Sequence, residues 1–290
     1  MKTPYNEYND DDVSYIIGRH ADKPFYKKWW FYALVALVVV AAVAFYKLAT
    51  RNRGDISSEL TVTTESLSTN AVGRTPKFQS DSTQSGKVFV SEVTVDGKTL
   101  KIWQFNGGNA ELRIGAISKD DPDVIFATQA ADIRSDNRGI VGAFVDRGEL
   151  VSKGQAKKGF CAIIDGKVVV GAAEHSPYLE EAIEKGGYFF RQYPLVYDGL
   201  VIDNKPKGPA LRRALCERDG EIIVVECDHI TFHDFAQVLA DFNVQNAVYL
   251  VGADAYGFYR TDTGVVEYGD SKWNEEPNVT YIVWRQQRKQ

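Results

Sequence analysis

Apolar and polar positions in the last third of the chain change their period from strand to helix and back. Residues 210–217 and 221–227 are two extended, largely apolar runs that flank Asp219-Gly220. An Asp-Gly pair supplies the positive φ angles that a two-residue hairpin turn requires. The two runs therefore predict a β-hairpin.

A helix and a further strand are predicted directly after this hairpin. Thr231 stands three residues before Asp234, so its hydroxyl can accept a hydrogen bond from a free backbone N–H while the carboxylate complements the helix dipole. Residues 246–251 then form a short apolar run, which can be parallel to the preceding strand with a right-handed crossover. Ligands of such units bind beyond the carboxyl ends of the strands, which places residues 252–255 at a crevice. The apolar helix positions recur at i, i+3, i+4 and i+7: Phe235, Val238, Leu239 and Phe242.

Two further Asp-Gly pairs lie between extended runs, at Asp96-Gly97 and Asp165-Gly166. Ser176 followed by Pro177 predicts the cap and first turn of a short helix that Gly186 ends. The predicted fold class is α+β. We expect a mostly β domain with a mixed sheet and a β-α-β unit near the C-terminus, plus one N-terminal transmembrane helix.

The transmembrane prediction rests on residues 29–46, an uninterrupted apolar run. As a helix it would extend roughly 27 Å, close to the ~30 Å hydrocarbon core of a bilayer. Aromatic residues at both ends and flanking lysines are typical of membrane interfaces. These residues are Trp29, Trp30, Phe31, Tyr32, Phe45 and Tyr46, with Lys27, Lys28 and Lys47.

The chain is accordingly divided into four parts. We predict a cytoplasmic tail (1–28), a transmembrane helix (29–47), a flexible Ser/Thr-rich stalk (48–87) and a folded domain (88–290). Basic residues on both sides of the span favour a cytoplasmic N-terminus only slightly. A cleaved signal peptide is the rival interpretation, given the small residues 42–44.

Composition excludes several function classes. The formal net charge of −5 and the lack of a basic face argue against nucleic acid as a partner. The sequence has no Gly-x-Ser-x-Gly elbow, phosphate-binding glycine loop or Cys-x-x-Cys pair, so hydrolase triads and nucleotide enzymes are not favoured. His229 and His233 have metal-like spacing, but the Thr231 cap places His229 outside the helix, and no metal site is predicted there.

The cysteines are odd in number: Cys161, Cys216 and Cys227. At least one thiol must therefore remain free even in an oxidising compartment. With Asp219-Gly220 as the turn, Cys216 faces Ile223 rather than Cys227, so a disulfide within the hairpin is out of reach.

Four successive features between residues 211 and 250 carry a family resemblance. They are the strand 211–215, the turn 219–220, the Thr231-capped helix and the strand 246–250. Their order and spacing resemble the phosphodiester glycosidase family. Upstream, the runs Lys158-Gly159-Phe160 and Tyr193-Pro194 also follow the family's order. The resemblance covers about residues 88–290.

The resemblance implies hydrolysis of sugar C1 phosphodiesters. That chemistry needs cationic donors on the phosphate and a group that activates water. Arg212 and Arg213 are the predicted donors, and Gly252 is predicted to line the substrate site. The family continues its last strand into Asp-Gly-Gly-Gly-Ser, where this chain reads Val-Gly-Ala-Asp-Ala at 251–255. Val251 cannot accept a proton, so the predicted catalytic carboxylate is Asp254.

Two functions remain open at this point. The first is a membrane-tethered hydrolase that cleaves sugar phosphodiesters of envelope glycans, with a divalent metal as an open question. The second is a binding or scaffold module that recognises a glycan or a sugar phosphate without catalysis. In both cases the family resemblance implies a domain outside the cytoplasm. The family's Asn-Gly-Gly-Phe-Phe region is expected near residues 139–144.

Overall fold

The computed structural model describes residues 86–154 and 156–286. The predicted tail (1–28), the transmembrane helix (29–47) and nearly all of the stalk (48–87) lie outside the described residues, and the first strand begins at Lys87. Within the described ranges, the α-helices have 8 and 10 residues, and neither has the length or apolarity to cross a bilayer.

The described chain is mostly β, as predicted. Its helices are α1 (Pro177–Glu184), α2 (Phe232–Asp241) and a 3₁₀-helix (Ser271–Glu275). Its strands, in chain order, are β1 (Lys87–Val95), β2 (Lys98–Asn106), β3 (Asn109–Ile114), β4 (Val124–Gln129), β5 (Phe144–Asp146), β6 (Glu149–Ser152), β7 (Gly159–Ile164), β8 (Lys167–Ala172), β9 (Tyr188–Gln192), β10 (Pro194–Tyr197), β11 (Leu200–Val201), β12 (Ala210–Arg218), β13 (Glu221–Ile230), β14 (Asn246–Leu250), β15 (Gly257–Thr261), β16 (Gly264–Tyr268) and β17 (Thr280–Arg285).

These strands form three sheets. A seven-stranded sheet has the order β1-β2-β13-β12-β14-β10-β11. Two five-stranded sheets have the orders β16-β15-β4-β17-β3 and β6-β5-β9-β7-β8.

All three predicted Asp-Gly hairpins are confirmed. The aspartates Asp96, Asp165 and Asp219 have φ of 45°, 51° and 54°, and the glycines that follow them have φ of 72°, 75° and 78°. Both central residues of each turn are therefore left-handed, which is the conformation that matches the twist of a two-residue hairpin. The flanking pairs are β1/β2, β7/β8 and β12/β13.

Helix α2 is also confirmed, with its cap. Thr231 Oγ1 accepts a hydrogen bond from the backbone N–H of Asp234 at 3.1 Å. The predicted apolar face is buried, and Phe235 and Leu239 are fully enclosed. Burial of each such side chain contributes roughly 1.5–3 kcal/mol.

The β-α-β unit is present, but its two strands are not adjacent in the sheet as predicted. Strands β13 and β14 both pair antiparallel with β12, so they run parallel to each other with β12 between them. Every strand pair in the described chain is antiparallel, and the prediction of a mixed sheet is wrong. The reason is that the hairpin turn at Asp219-Gly220 places β12 beside β13, and β14 then pairs with the free edge of β12.

The seven-stranded sheet is the middle layer. One face packs against α2 through Ala214, Cys216 and Phe235, among others. The opposite face shares a core with both five-stranded sheets, in which Trp103 and Leu215 meet Phe126 and Phe190 from those sheets.

The three cysteines are free and buried. Cys216 is opposite Ile223 in the β12/β13 register, which confirms that the hairpin holds no disulfide. Burial raises the pKa of the Cys161 and Cys216 thiols well above the ordinary range. Both sulfurs are therefore protonated and unreactive in the folded chain.

Candidate functional site

Arg212 and Arg213, the two predicted phosphate donors, lie on opposite faces of β12. Successive side chains of a strand point to opposite sides of the sheet. Arg212 faces the α2 side and is half-buried, whereas Arg213 faces the inner core and is 1% exposed. One phosphate group cannot contact both guanidinium groups, so the geometry does not support the two arginines as a pair of donors.

Arg213 is held by groups of the inner core. Its Nε donates to Glu226 at 2.9 Å, and its Nη1 donates to the carbonyl oxygen of Val251 at 3.0 Å. The guanidinium also lies over the ring of Tyr268, 4.6 Å from the centroid. These contacts fix the end of β14 to the middle of β12, which is a structural role.

The loop after β14 is tightly packed on the backbone of β12. A Cβ atom on Gly252 would lie 2.3 Å from the carbonyl oxygen of Leu211, so a larger residue does not fit. Ala253 adopts a left-handed φ of 50°, and its N–H donates to the same carbonyl at 2.9 Å. A non-glycine residue at such a φ is strained, and strain of this kind is concentrated at functional sites.

Asp254, the predicted catalytic carboxylate, is exposed on the far side of this loop. Its backbone carbonyl accepts a hydrogen bond from Asp270, and its carboxylate acts electrostatically on Lys272. Within the described chain, no contact joins the Asp254 carboxylate to the Arg212 guanidinium. The crevice that we predicted between them and a catalytic role for Asp254 therefore stay predictions without geometric support.

Arg212 instead belongs to an aromatic wall. Its guanidinium lies 4.2 Å from the ring centroid of Phe232 and 5.9 Å from that of Tyr249. Two backbone carbonyls hold it in place: Nη2 donates to Gly208 at 2.6 Å and Nε donates to Ile230 at 3.4 Å. A planar guanidinium stacked on aromatic rings keeps its charge while most of its side chain is out of water.

A second cation reaches the same wall from the opposite side. Lys157, whose side chain is 8% exposed, lies over the ring of Tyr193 at 4.4 Å from the centroid. The Tyr193 and Phe232 rings are in edge contact at 5.4 Å, and Phe232 contacts Tyr249 at 4.7 Å. Lys157 and Arg212 are thus joined by a continuous row of aromatic rings.

Lys157 also forms an ion pair with Asp132, a residue at the start of the loop after β4. The Asp132 side chain is 32% exposed, so water reaches the carboxylate. Gln192 completes the arrangement, because its Oε1 accepts hydrogen bonds from Lys157 Nζ at 2.7 Å and from the Tyr193 N–H at 3.1 Å. Its Nε2 is buried and donates to no described group. A buried donor of this kind is suited to an oxygen atom of a ligand.

Tyr249 lies between the two ends of this arrangement. Burial raises the pKa of its phenol, and the hydroxyl of Tyr249 accepts a hydrogen bond from the Gly252 N–H at 3.1 Å. Arg212 acts to lower this pKa and Asp132 acts to raise it, so both groups influence the same hydroxyl. We refer to the whole set as the Asp132–Arg212 cluster: Asp132, Lys157, Gln192, Tyr193, Arg212, Phe232 and Tyr249.

Comparisons with known proteins identify the family of this domain. The sequence profile of the phosphodiester glycosidase family matches residues 122–283, more than half of the chain. The chain belongs to the phosphodiester glycosidase family. All seven residues of the Asp132–Arg212 cluster lie inside the matched range. None of the curated proteins matches the chain.

Two solved structures are similar to this family member at low sequence identity. The catalytic domain of zebrafish N-acetylglucosamine-1-phosphodiester alpha-N-acetylglucosaminidase, auto-inhibited by its pro-peptide, has a TM-score of 0.51 and 15% identity. That match covers 70% of this chain and 83% of the zebrafish chain. A hypothetical protein from Synechocystis has a TM-score of 0.47 and 11% identity, covering 69% of this chain and 62% of its own.

A cavity of about 310 Å³ adjoins the cluster in this phosphodiester glycosidase domain. It is formed by the segment expected to match the family's Asn-Gly-Gly-Phe-Phe region, together with residues 151–154. Gly142, one of the lining residues, packs closely on neighbouring segments, because a Cβ atom there would lie 2.9 Å from Arg191 Cβ and 3.1 Å from the Ala156 carbonyl oxygen. The N–H of Val141 donates to the Asp132 carbonyl at 2.8 Å, so the cavity and the cluster share one stretch of backbone.

Metal ligands are not grouped in the described part of this family member: no three His, Cys, Asp or Glu side chains converge there. Of the two histidines with metal-like spacing, His233 has its Nδ1 at 2.7 Å from Asp203 Oδ1.

Asp132, Lys157 and Gln192 were not predicted from the sequence. Two signals were close to them, because the family-like runs Lys158-Gly159-Phe160 and Tyr193-Pro194 directly follow Lys157 and Gln192. What the pattern could not provide was Asp132, which comes from another sheet and meets Lys157 only in the folded chain.

Proposed function

We propose that this domain hydrolyses sugar 1-phosphodiesters and that Asp132 is the general base. The observation that carries the proposal is the position of the Asp132 carboxylate. It is partly open to water, it is paired with the buried Lys157 ammonium, and it lies at one end of an aromatic wall that carries Arg212 at the other. Aromatic faces suit the apolar face of a sugar ring, and the two cations suit a phosphodiester.

One carboxylate is sufficient for this reaction, although glycosidases ordinarily use two. The group that leaves C1 is a phosphate monoester, which is stable as an anion and needs no proton from an acid. Asp132 removes a proton from water, the water oxygen forms a bond to C1, and the C1–O bond breaks with its electron pair on the phosphate oxygen. The proton then passes from Asp132 to solvent.

The cations and Tyr249 have separate tasks in this proposal. Lys157, which is paired with Asp132, contacts the phosphate oxygens, and Arg212 adds positive charge at the other end of the aromatic wall. Both are held in place before substrate binds, so little reorganisation is needed. The Tyr249 hydroxyl, whose pKa burial raises, stays protonated near neutral pH and can donate a hydrogen bond to the sugar or the phosphate.

The test is an assay of the detergent-solubilised full chain on chromogenic sugar 1-phosphodiesters, with and without a chelator. We expect Asp132→Asn to lower kcat by about 100-fold or more, as removal of a general base does. Asp254→Asn is the matched control, since it neutralises the exposed carboxylate of the sequence prediction, and it should retain wild-type activity. Loss of activity in Asp254→Asn with normal activity in Asp132→Asn would reverse the assignment.

A binding module without catalysis is the second candidate function. It is favoured by Val251 and Ala255, which replace the acid and the serine of the family pattern Asp-Gly-Gly-Gly-Ser. This function predicts that wild type and Asp132→Asn bind a sugar phosphate equally well and that neither hydrolyses any phosphodiester. The same assay, followed by calorimetric titration with a sugar 1-phosphate, distinguishes the two functions.

We further propose that residues 29–47 anchor the domain to a membrane and that the domain lies outside the cytoplasm, where envelope glycans are the substrates. Deletion of residues 29–47 should move the protein to the soluble fraction. A C-terminal tag should be cleaved by protease added to intact cells. A tag that resists protease until the cells are lysed would show the opposite orientation.

A further inference from the structure

We propose that the 310 Å³ cavity beside the Asp132–Arg212 cluster holds the leaving-group side of the substrate and selects a leaving group that carries a second negative charge. This inference rests on the proposed function for its place in the reaction. The recognition itself is a property of the cavity and can be measured without turnover.

The lining of the cavity is polar and cationic. It contains Arg134 and Lys153, together with the amides of Asn137 and Asn278, and none of the described lining residues is an aspartate or a glutamate. A pocket of this size is at the small end of the range for ligand sites. Its charge and its amide donors fit an anion such as a phosphate or a carboxylate better than a neutral group.

The two cations are not equivalent. Arg134 donates from Nε and Nη2 to the two carboxylate oxygens of Asp136, at 3.0 Å and 3.1 Å, so its charge is partly balanced. Lys153 is exposed and forms no ion pair or hydrogen bond within the described residues. Lys153 is therefore the group whose charge is available to a ligand, whereas Arg134 is held by Asp136.

The cavity and the reactive centre are built from the same two segments. The chain from Asp132 to Gly142 carries the proposed base at one end and the cavity wall beyond it, while the chain from Val151 to Lys157 carries Lys153 and the Lys157 ammonium. In extended backbone, Asp132 and Arg134 are about 7 Å apart. A substrate whose C1–O–P group lies at Asp132 would therefore place the next group of its alcohol portion in the cavity.

The substrate class that follows is a sugar 1-phosphodiester whose alcohol portion bears another phosphate or carboxylate, as in a chain of repeating phosphodiesters. A simple neutral aglycone would leave the Lys153 ammonium without a partner. The distinction between the two kinds of substrate should lie in KM, because the second anion is remote from the bond that breaks.

The kinetic test uses two substrates with the same sugar 1-phosphate, one esterified to propanol and one to propanediol monophosphate. The full-length wild-type chain should have a KM about tenfold lower for the charged substrate. Lys153→Met should remove this difference, and Lys167→Met, which changes an exposed lysine at the Asp165-Gly166 turn, should retain it. Equal KM values for both substrates in wild type, or an equal rise for both in Lys153→Met, would overturn the proposal.

A binding test separates this inference from the proposed function. Calorimetric titration compares propanediol bisphosphate with propyl phosphate on the full chain. We expect the bisphosphate to bind about tenfold more tightly to wild type and Lys167→Met, and no more tightly to Lys153→Met. If no substrate is hydrolysed but this difference is found, the hydrolase assignment fails and the cavity assignment stands. If both phosphates bind equally to wild type, the cavity assignment fails whatever the enzyme hydrolyses.

Discussion

The guanidinium of Arg213 donates a hydrogen bond to the carbonyl oxygen of Val251 at 3.0 Å, from the face of the sheet opposite to Arg212. This contact fixes the end of β14, from which the loop of Gly252 and Ala253 leaves the sheet. Two adjacent arginines therefore have different tasks: one supports the loop from inside the core, and the other lines the outer aromatic wall.

We expect Arg213→Met to destabilise the fold by about 3 kcal/mol, because it leaves the mostly buried Glu226 carboxylate without its partner. The measurement is urea unfolding of the full chain, followed by tryptophan fluorescence. Arg113→Met is the control, since Arg113 is more exposed than Arg213 and Glu111 keeps Arg285 as a second partner at 3.6 Å. This change should cost less than about 1 kcal/mol. A similar small loss in both variants would mean that the Arg213 pair adds nothing to the support of β14.

Gly252→Ala should destabilise the fold by roughly 1–3 kcal/mol, the usual cost of forcing extra atoms into a packed site. The reason is the 2.3 Å approach of the added Cβ atom to the Leu211 carbonyl oxygen. Gly208→Ala serves as the comparison, because nothing lies within 4 Å of a Cβ atom there. The unfolding midpoints of the two variants are compared with wild type. A midpoint for Gly252→Ala equal to that of Gly208→Ala would contradict the close packing.

Tyr268 should make the fold sensitive to alkaline pH. Burial raises its pKa to about 12, while a tyrosine of the unfolded chain titrates near 10. The unfolded state thus releases its proton first, so the contribution of this group is fully present below pH 10 and is lost as the pH rises from 10 to 12.

Tyr268→Phe removes this titration and also removes the hydrogen bond from the hydroxyl to the Ala127 carbonyl. We expect the variant to be about 1 kcal/mol less stable than wild type at pH 7 and to lose less stability between pH 10 and 11. Urea midpoints at pH 7, 10 and 11 test this expectation, with the exposed Tyr197→Phe as control. Parallel pH curves for wild type and Tyr268→Phe would contradict it.

Arg212→Lys tests the outer aromatic wall. Lysine keeps the charge but cannot both stack on Phe232 and donate to the Gly208 carbonyl as the planar guanidinium does. We expect kcat/KM on a sugar 1-phosphodiester to fall by about 10- to 100-fold, with unfolding midpoints close to wild type. Arg113→Lys should leave kcat/KM unchanged. Retention of wild-type kcat/KM in Arg212→Lys would remove this residue from the site.

Local chemistry explains which parts of the fold the sequence could predict. The three Asp-Gly turns and the Thr231 cap each depend on a few neighbouring residues, and all were confirmed. The order of the strands in the sheet does not depend on neighbouring residues in this way. The insertion of β12 between β13 and β14 follows from pairing between distant segments, which no local period records.

One part of the candidate site could not be predicted from the sequence, and another part could have been. Asp132 and Lys157 belong to loops of different sheets, and their contact follows from the way the sheets pack, so the sequence pattern could not reveal it. The location of Arg212 and Arg213 on opposite faces of β12 could have been predicted, because successive side chains of a strand alternate between its two faces. The hydrogen bond from the Asp270 N–H to the Asp254 carbonyl oxygen is again a contact between separate segments of the chain.

The three buried cysteine thiols can be used to measure local opening of the domain. Cys161 comes from the β7 sheet, whereas Cys216 and Cys227 come from neighbouring strands of the middle layer. A small alkylating reagent can reach a buried sulfur only when the layer around it opens. The rate at which each cysteine is labelled therefore measures how often that layer opens. Labelling at Cys161 compared with Cys216 would thus tell whether the outer sheet loosens before the middle one.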